Sequence, residues 1–254
     1  EAKNLIRDGN RVTGVQAIDR ITNERIDIKA KVVLNAAGPW SDWLLEEALP
    51  ETKLQKNVYS RDACFVIKRR FSSPCAIAVQ VRTKDPDALL SRPASHLILV
   101  PWRDYTLVCD WHVVWKQQPE QVTVKEDEIQ SFIDEINWAC PTLNLDTKDV
   151  CMWNAGLVPF GDNEEGADNL SYGKRSHFID HKESDDLDNL VTLIGIRYTT
   201  ARGDSAKAID LICEKLSKTG SRAATESTPL VGGDIADFEA LVQRLYQQQS
   251  LGLS

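Results

Sequence analysis

The sequence has no apolar run approaching the ~20 residues a helix needs to cross a bilayer. No secretory signal opens it. It also lacks a run of lysine and arginine long enough to make a basic face, and its formal net charge is -8. A nucleic-acid reader carries a basic face, so nucleic acid is not an expected partner. The acidic balance also disfavours tight binding to anionic lipid. None of the 13 glycines has another glycine two positions on, which excludes the Gly-x-Gly-x-x-Gly turn that seats a pyrophosphate on a helix N-terminus. Among the six cysteines (Cys64, Cys75, Cys109, Cys140, Cys151 and Cys213) there is no C-x-x-C pair. They read as buried thiols of a reducing, cytoplasmic compartment, not as a disulfide framework. A tetrahedral zinc site wants closely paired Cys or His ligands, and no metal is expected.

What is present is ordinary globular material: 254 residues, 42% hydrophobic and 27% charged, enough for a core of useful size. The chain opens at Glu1 inside a strand pattern and reads as a fragment, a processed chain or a partial sequence. Arg11 to Ala30 reads as two short strands around Thr22-Asn23. Val32 to Leu34 is a continuous apolar run, as in a strand buried on both faces of a parallel sheet. It ends in Asn35-Ala36-Ala37-Gly38-Pro39-Trp40. Ser41 is a candidate N-cap for a helix through Trp43, Leu44, Leu45 and Ala48, closed by Pro50. Val58 to Val114 reads mostly as β, with strands at Ala63 to Lys68, Ala76 to Val81, His96 to Trp102 and Thr106 to Val114 and a turn at Pro101 to Asp104. Lys125 to Ala139 has helical spacing. Strands resume at Val150 to Phe160, Arg175 to Asp180 and Leu190 to Ile194, and Gly161 to Asn169 is an acidic loop. After Gly195 a helix places Ala206, Ile209, Ile212 and Leu216 on one face. A polar linker, Lys218 to Thr228, leads to a last helix beginning at Asp234. Its apolar face is Phe238, Leu241, Val242 and Leu245.

Two distant signatures carry a resemblance. The first is Asn35-Ala36-Ala37-Gly38-Pro39-Trp40. The second is Gly195-Ile196-Arg197-Tyr198-Thr199-Thr200-Ala201-Arg202, which follows an apolar strand and precedes an amphipathic helix. Together with Val100-Pro101-Trp102 and Asn154-Ala155-Gly156-Leu157-Val158-Pro159-Phe160 between them, they resemble the flavin-dependent glycerol-3-phosphate dehydrogenases and oxidases, within the wider D-amino-acid-oxidase-like superfamily. The likeness runs from about Val12 to about Gly233. It implies FAD as cofactor, with Ala36 to Trp40 and Gly195 to Thr200 lining it. It implies an α/β fold in which part of a Rossmann-like FAD domain joins an antiparallel-sheet substrate domain, followed by a short helical C-terminal extension. The corresponding division is 1–44 and 189–217 for the FAD domain, 45–188 for the substrate domain and 218–254 for the extension. A backbone turning through Ala-Ala-Gly allows close approach of a cofactor. A helix N-terminus after Gly195 stabilises negative charge, with Thr199 or Thr200 as its cap.

The resemblance also implies hydride transfer from a small, anionic alcohol to the flavin. Quinone or oxygen would accept the electrons, and the parent protein would be cytoplasmic or peripheral at a membrane. Two rivals stand beside it: an amine or amino-acid oxidase of the same superfamily, and a non-catalytic fragment unable to hold FAD alone. The departures bear on this choice. The family's diphosphate turn is missing. The Arg before Pro in its Gly-x-Arg-Pro block is Val158 here. Its Lys-Gly-x-His segment corresponds to Arg61-Asp62-Ala63-Cys64, so the family's His is Cys64 and the obvious general base is absent. Its Gly-Gly-Lys is Gly195-Ile196-Arg197, and its second substrate arginine matches Arg175. Arg197 and Arg175 are therefore the remaining candidate cations. Arg197 either serves the flavin–substrate junction or pairs on the surface with a carboxylate such as Asp204. Other candidates read more blandly. His112 is a strand residue. His177 and His181, four apart, share one face of a solvated strand and lack a third metal ligand. The acidic run Glu183 to Asp188 is a solvated loop. Trp102, Trp111, Trp115 and Trp153 line a pocket or pack the core.

Overall fold

The structure is a computed structural model, and it describes residues 1–49, 59–71, 73–81, 96–159, 176–219 and 223–250. The chain forms two compact units, Glu1–Thr200 and Ala201–Ser254. Arg175, the acidic stretch Gly161 to Asn169 and Pro50 lie outside the described residues.

The first unit opens with an antiparallel meander of β1 (Ala2–Asp8), β2 (Arg11–Ile18) and β3 (Arg25–Lys29). The two expected strands are there, and β1 pairs on the far side of β2. Next comes β4 (Val33–Asn35), then a 3-10 turn, Gly38–Trp40, running straight into α1 (Ser41–Ala48). The helix therefore begins one residue earlier than expected. Trp40 occupies the cap position without a side-chain bond. The Ser41 hydroxyl is buried and has no hydrogen-bond partner.

A five-stranded antiparallel sheet follows, ordered β6 (Ile77–Gln80), β7 (His96–Trp102), β8 (Tyr105–Trp115), β5 (Tyr59–Ile67) and β9 (Val150–Pro159). The turn between β7 and β8 is tighter than expected: Trp102 pairs with Tyr105, and Arg103 takes φ of 54°. α2 (Glu126–Ala139) covers one face of this sheet. Phe65 stacks on Phe132 with ring centroids 4.1 Å apart, and Trp111 meets Phe132 edge-on at 6.1 Å. Ala63, Ile67, Leu97, Leu99, Ile133 and Ile136 complete this core. Trp111 is thus core, whereas Trp102 and Trp153 are 40% and 38% exposed and the Trp115 indole donates to the Gln118 carbonyl. The four tryptophans do not converge on one pocket.

β5 alternates its faces, as a strand must. Arg61, at the α2 end, is fully buried. Its guanidinium forks onto both carboxylate oxygens of Glu128 and donates to the Thr123 carbonyl at 2.6 Å. Glu128 in turn accepts the backbone N–H of Lys125 at 2.8 Å, which ties the pair to the start of α2. The pair meets the charge and the two terminal nitrogens of this buried guanidinium, while its Nε has no hydrogen-bond partner among the described residues.

Three strands form the remaining sheet: β10 (His177–Asp180), β11 (Leu190–Ile194) and β4. β11 runs parallel to β4 and antiparallel to β10. This sheet is tied to the meander by the Val12 N–H to the Asp188 carbonyl, 3.0 Å, and by the Asp188 N–H to the Asn10 carbonyl, 2.8 Å. Leu5, Val12, Val33, Leu45, Leu187 and Leu190 form its core. The strand ends at Asp180 as expected, and the Asp180 carboxylate caps Lys182 and starts the short α3 (His181–Ser184). His177 and His181 therefore do not share a strand face. The run Glu183 to Asp188 is not wholly solvated either, since Leu187 is buried. β10 joins the sheet of β11 ahead of the expected re-entry at 189.

The second unit holds α4 (Ala201–Lys215) and α5 (Phe238–Ser250). α4 buries Asp204 and Ala208, one turn apart, so Ile209 is 54% exposed and off the buried face. α5 begins after Asp237, not at Asp234, because the Asp237 carboxylate accepts the Ala240 N–H at 2.9 Å. Phe238 and Leu245, expected on its apolar face, are 68% and 52% exposed. Among the described residues no helix is long and apolar enough to cross a membrane.

The Arg61–Glu128 pair gives a stability prediction. Glu128→Ala should cost about 3 kcal/mol by urea denaturation, because it strands a buried guanidinium. The double change Arg61→Met with Glu128→Leu should cost clearly less. Equal losses would mean the pair is not what holds this face to α2.

Candidate functional site

The parallel strands define the site. Leu190 pairs with Val33, Val191 with Leu34 and Thr192 with Asn35. Both strands deliver backbone to the same edge at their C-terminal ends, the place where open α/β sheets bind ligands. From β4 the chain passes through Ala36 and Ala37, both outside the buried core, into the 3-10 turn Gly38-Pro39-Trp40. Gly38 has φ of +58°, a conformation that opposes an L side chain. From β11 the chain passes through Gly195, Ile196 and Arg197 into a second 3-10 turn, Tyr198–Thr200. No heavy atom lies within 4 Å of where a Cβ would stand at Gly38 or Gly195. The two segments form an open shelf of small residues and backbone.

The shelf has a rigid underside. Asn35 is buried, donates to the Ser41 carbonyl at 3.2 Å and to Thr192 Oγ1 at 3.3 Å, and accepts the Ala37 N–H at 3.4 Å. Thr192 Oγ1 is 2.8 Å from His181 Nε2, and His181 Nδ1 is 2.6 Å from Asp185 Oδ2. His181 and Thr192 are buried. Neither stands out from the sequence; the only signal is a His directly after β10 and an Asp one helical turn on.

On the other side of the shelf lies β9, against which the Gly38–Trp40 turn packs, as it does against β11. Antiparallel partners point to one face. Ser60 pairs with Val158, Asp62 with Gly156 and Cys64 with Asn154, and the Ser60 hydroxyl donates to Asp62 at 2.9 Å. Asp62, Cys64, Asn154 and Val158 therefore share the sheet face opposite α2. Tyr59, at the end of β5, is buried with an unpartnered hydroxyl. Burial, with the Asp42 carboxylate adding to it, holds its phenol well above the ordinary tyrosine range.

Arg197 and Tyr198 are exposed, Tyr198 to 97%. The Thr200 hydroxyl donates to the Arg197 carbonyl at 3.0 Å and closes the turn there. Trp40, 45% exposed, donates from its indole to Glu120 at 2.5 Å. Trp40, Ala37, Trp43 and Glu120 border an open cleft of about 640 Å³. No group of three metal-ligating side chains occurs among the described residues.

Residues 1–199 match the model of the FAD dependent oxidoreductase family. The chain belongs to that family. Among its relatives, the aerobic glycerol-3-phosphate dehydrogenase of Staphylococcus haemolyticus is 28% identical over 253 residues, covering 96% of this chain and 42% of its own. One component of the anaerobic glycerol-3-phosphate dehydrogenase of Haemophilus influenzae is 27% identical over 232 residues, 91% of this chain and 38% of its own. The chain thus spans less than half the length of these relatives. The FAD-bound glycerol-3-phosphate dehydrogenase of Bacillus halodurans shares the fold, with a TM-score of 0.76 at 21% identity over 99% of this chain and 45% of that one.

The residues present fit one part of FAD. The open shelf at Ala36 to Gly38 and Gly195, clear where side chains would stand, suits a flat ring system. The diphosphate has no glycine turn to receive it in this sequence.

Gly38 can be tested directly. Gly38→Ala should lower stability by about 1–2 kcal/mol, because only the left-handed backbone opposes it. Gly195→Ala, in equally open space without positive φ, should not lower it. Equal effects on thermal unfolding would contradict the geometry.

Proposed function

We propose that the whole protein oxidises a small anionic alcohol of the glycerol 3-phosphate kind, and that this chain supplies the flavin-facing half of its FAD site with the substrate sheet. The observation that carries the reading is the parallel β4–β11 pair, which joins the two flavin-lining signatures on one edge beside β9. The relatives' names support the alcohol class. FAD, when bound, supplies the acceptor for a hydride, and the electrons pass on to quinone or oxygen. The chain's own residues bind and orient. Ala36, Ala37, Gly38, Pro39, Trp40, Gly195, Ile196, Arg197, Tyr198, Thr199 and Thr200 line the ring system. Arg197, exposed at the end of β11, draws in the anionic substrate. Arg175 is the second cation in this reading. Val158 cannot offer the bidentate charge-assisted bonds of the Arg it replaces. The phosphate therefore leans on Arg197 and Arg175. Residues 1–44 and 189–217 act with the flavin, 45–188 with the substrate, and 218–254 form an extension.

Two outcomes test this. The 254-residue chain should leave gel filtration colourless, while a longer form carrying a Gly-x-Gly-x-x-Gly turn should stay yellow. A flavin band retained by the shorter chain would contradict the division of labour. In the longer form, Arg197→Met should cut kcat/KM for glycerol 3-phosphate at least tenfold, ~1.4 kcal/mol. A change under about threefold, or faster turnover of an amine, would remove the alcohol reading.

A further inference from the structure

Asn35 sets the direction of the first hydrogen bonds beneath the shelf, and the tautomer of His181 sets the rest. Asn35 fixes the first choice. Its Oδ1 faces the Ala37 N–H at 3.4 Å, so its amide nitrogen faces the Ser41 carbonyl and Thr192 Oγ1. The opposite orientation would set carbonyl against carbonyl at Ser41 and N–H against N–H at Ala37. Thr192 Oγ1 therefore accepts a hydrogen from Asn35, and its own hydroxyl hydrogen needs an acceptor. His181 Nε2, 2.8 Å away, is that acceptor. A nitrogen that accepts carries no hydrogen, so the ring's hydrogen sits on Nδ1 and is donated to Asp185 Oδ2 at 2.6 Å. Asn35, Thr192 and His181 are 3%, 0% and 1% exposed, so water does not stand in for a lost link.

We propose that His181 is a positioning residue for the shelf. Held as the Nδ1–H tautomer by Asp185, it orients the Thr192 hydroxyl. Thr192 then holds the Asn35 amide, which grips the Ala36–Trp40 segment at both ends, the Ala37 N–H and the Ser41 carbonyl. The relay crosses from α3 through β11 to β4, and it sets the backbone on which a flavin would lie. Its functional meaning rests on the flavin reading above; its existence does not.

The test uses the 254-residue chain without flavin, so its failure is separate from a failure of the flavin assignment. Imidazole ¹⁵N spectra should show His181 protonated at Nδ1 and bare at Nε2. An Nε2–H tautomer would overturn the proposal even if every variant failed to fold. In Thr192→Val, which keeps the shape and removes the hydroxyl, the Ala37 amide should exchange about tenfold faster. Thr192→Ser should restore it, and β5 amides should be unchanged. Unaltered Ala37 exchange would overturn the relay. Equal acceleration in β5 would do so too, since Thr192 would then be a general core residue.

Discussion

The parallel pairing of β4 with β11 is the constraint on which the rest of this structure depends. It joins Asn35 to Thr192, 157 residues apart in sequence. Contacts of that separation form only after a large loop is closed, so the intervening chain must fold as a body of its own. It does: the five-stranded sheet and α2 share a core of Phe65, Phe132, Leu97, Leu99 and Ile136. The meander β1–β3 then braces the pair from below through Val12 and Asn189. Lose the pairing, and the two glycine-ended segments no longer share an edge.

The strands of this fold were legible where hydrophobic period and length agreed. Val32 to Leu34 is a continuous apolar run and Leu190 to Ile194 is apolar except for Thr192, and the strands at these places, β4 and β11, lie in one sheet as their composition implies. Lys125 to Ala139 has a 3.6-residue period and is α2. The errors came from local signals with more than one use. Ser41 looks like a cap, but the preceding 3-10 turn already carries the chain into the helix. Asp234 and Asp237 are both plausible caps, and only the bond to Ala240 decides. His181 looked solvated because its neighbours are charged. Its ring bonds Asp185, four residues on, and Thr192 on β11, and no local pattern reveals the second.

The family was legible through spaced motifs, and the substitutions within them take on meaning in three dimensions. Arg61 stands in the segment that the resemblance sets against a family motif, and it turns to α2 and Glu128. Cys64 and Val158 lie on the opposite face, the face next to the Gly38–Trp40 turn through β9. That face also carries Asp62 and Asn154. The sheet thus keeps the family's frame while its polar chemistry has changed.

The account is tested most directly by a crystal structure of the longer protein with FAD bound. The flavin ring is predicted to lie on Ala36, Ala37 and Gly38 from one strand end and on Gly195, Ile196 and Arg197 from the other, with β9 alongside. A ring seated away from either segment would contradict the claim that the β4–β11 pair builds the site.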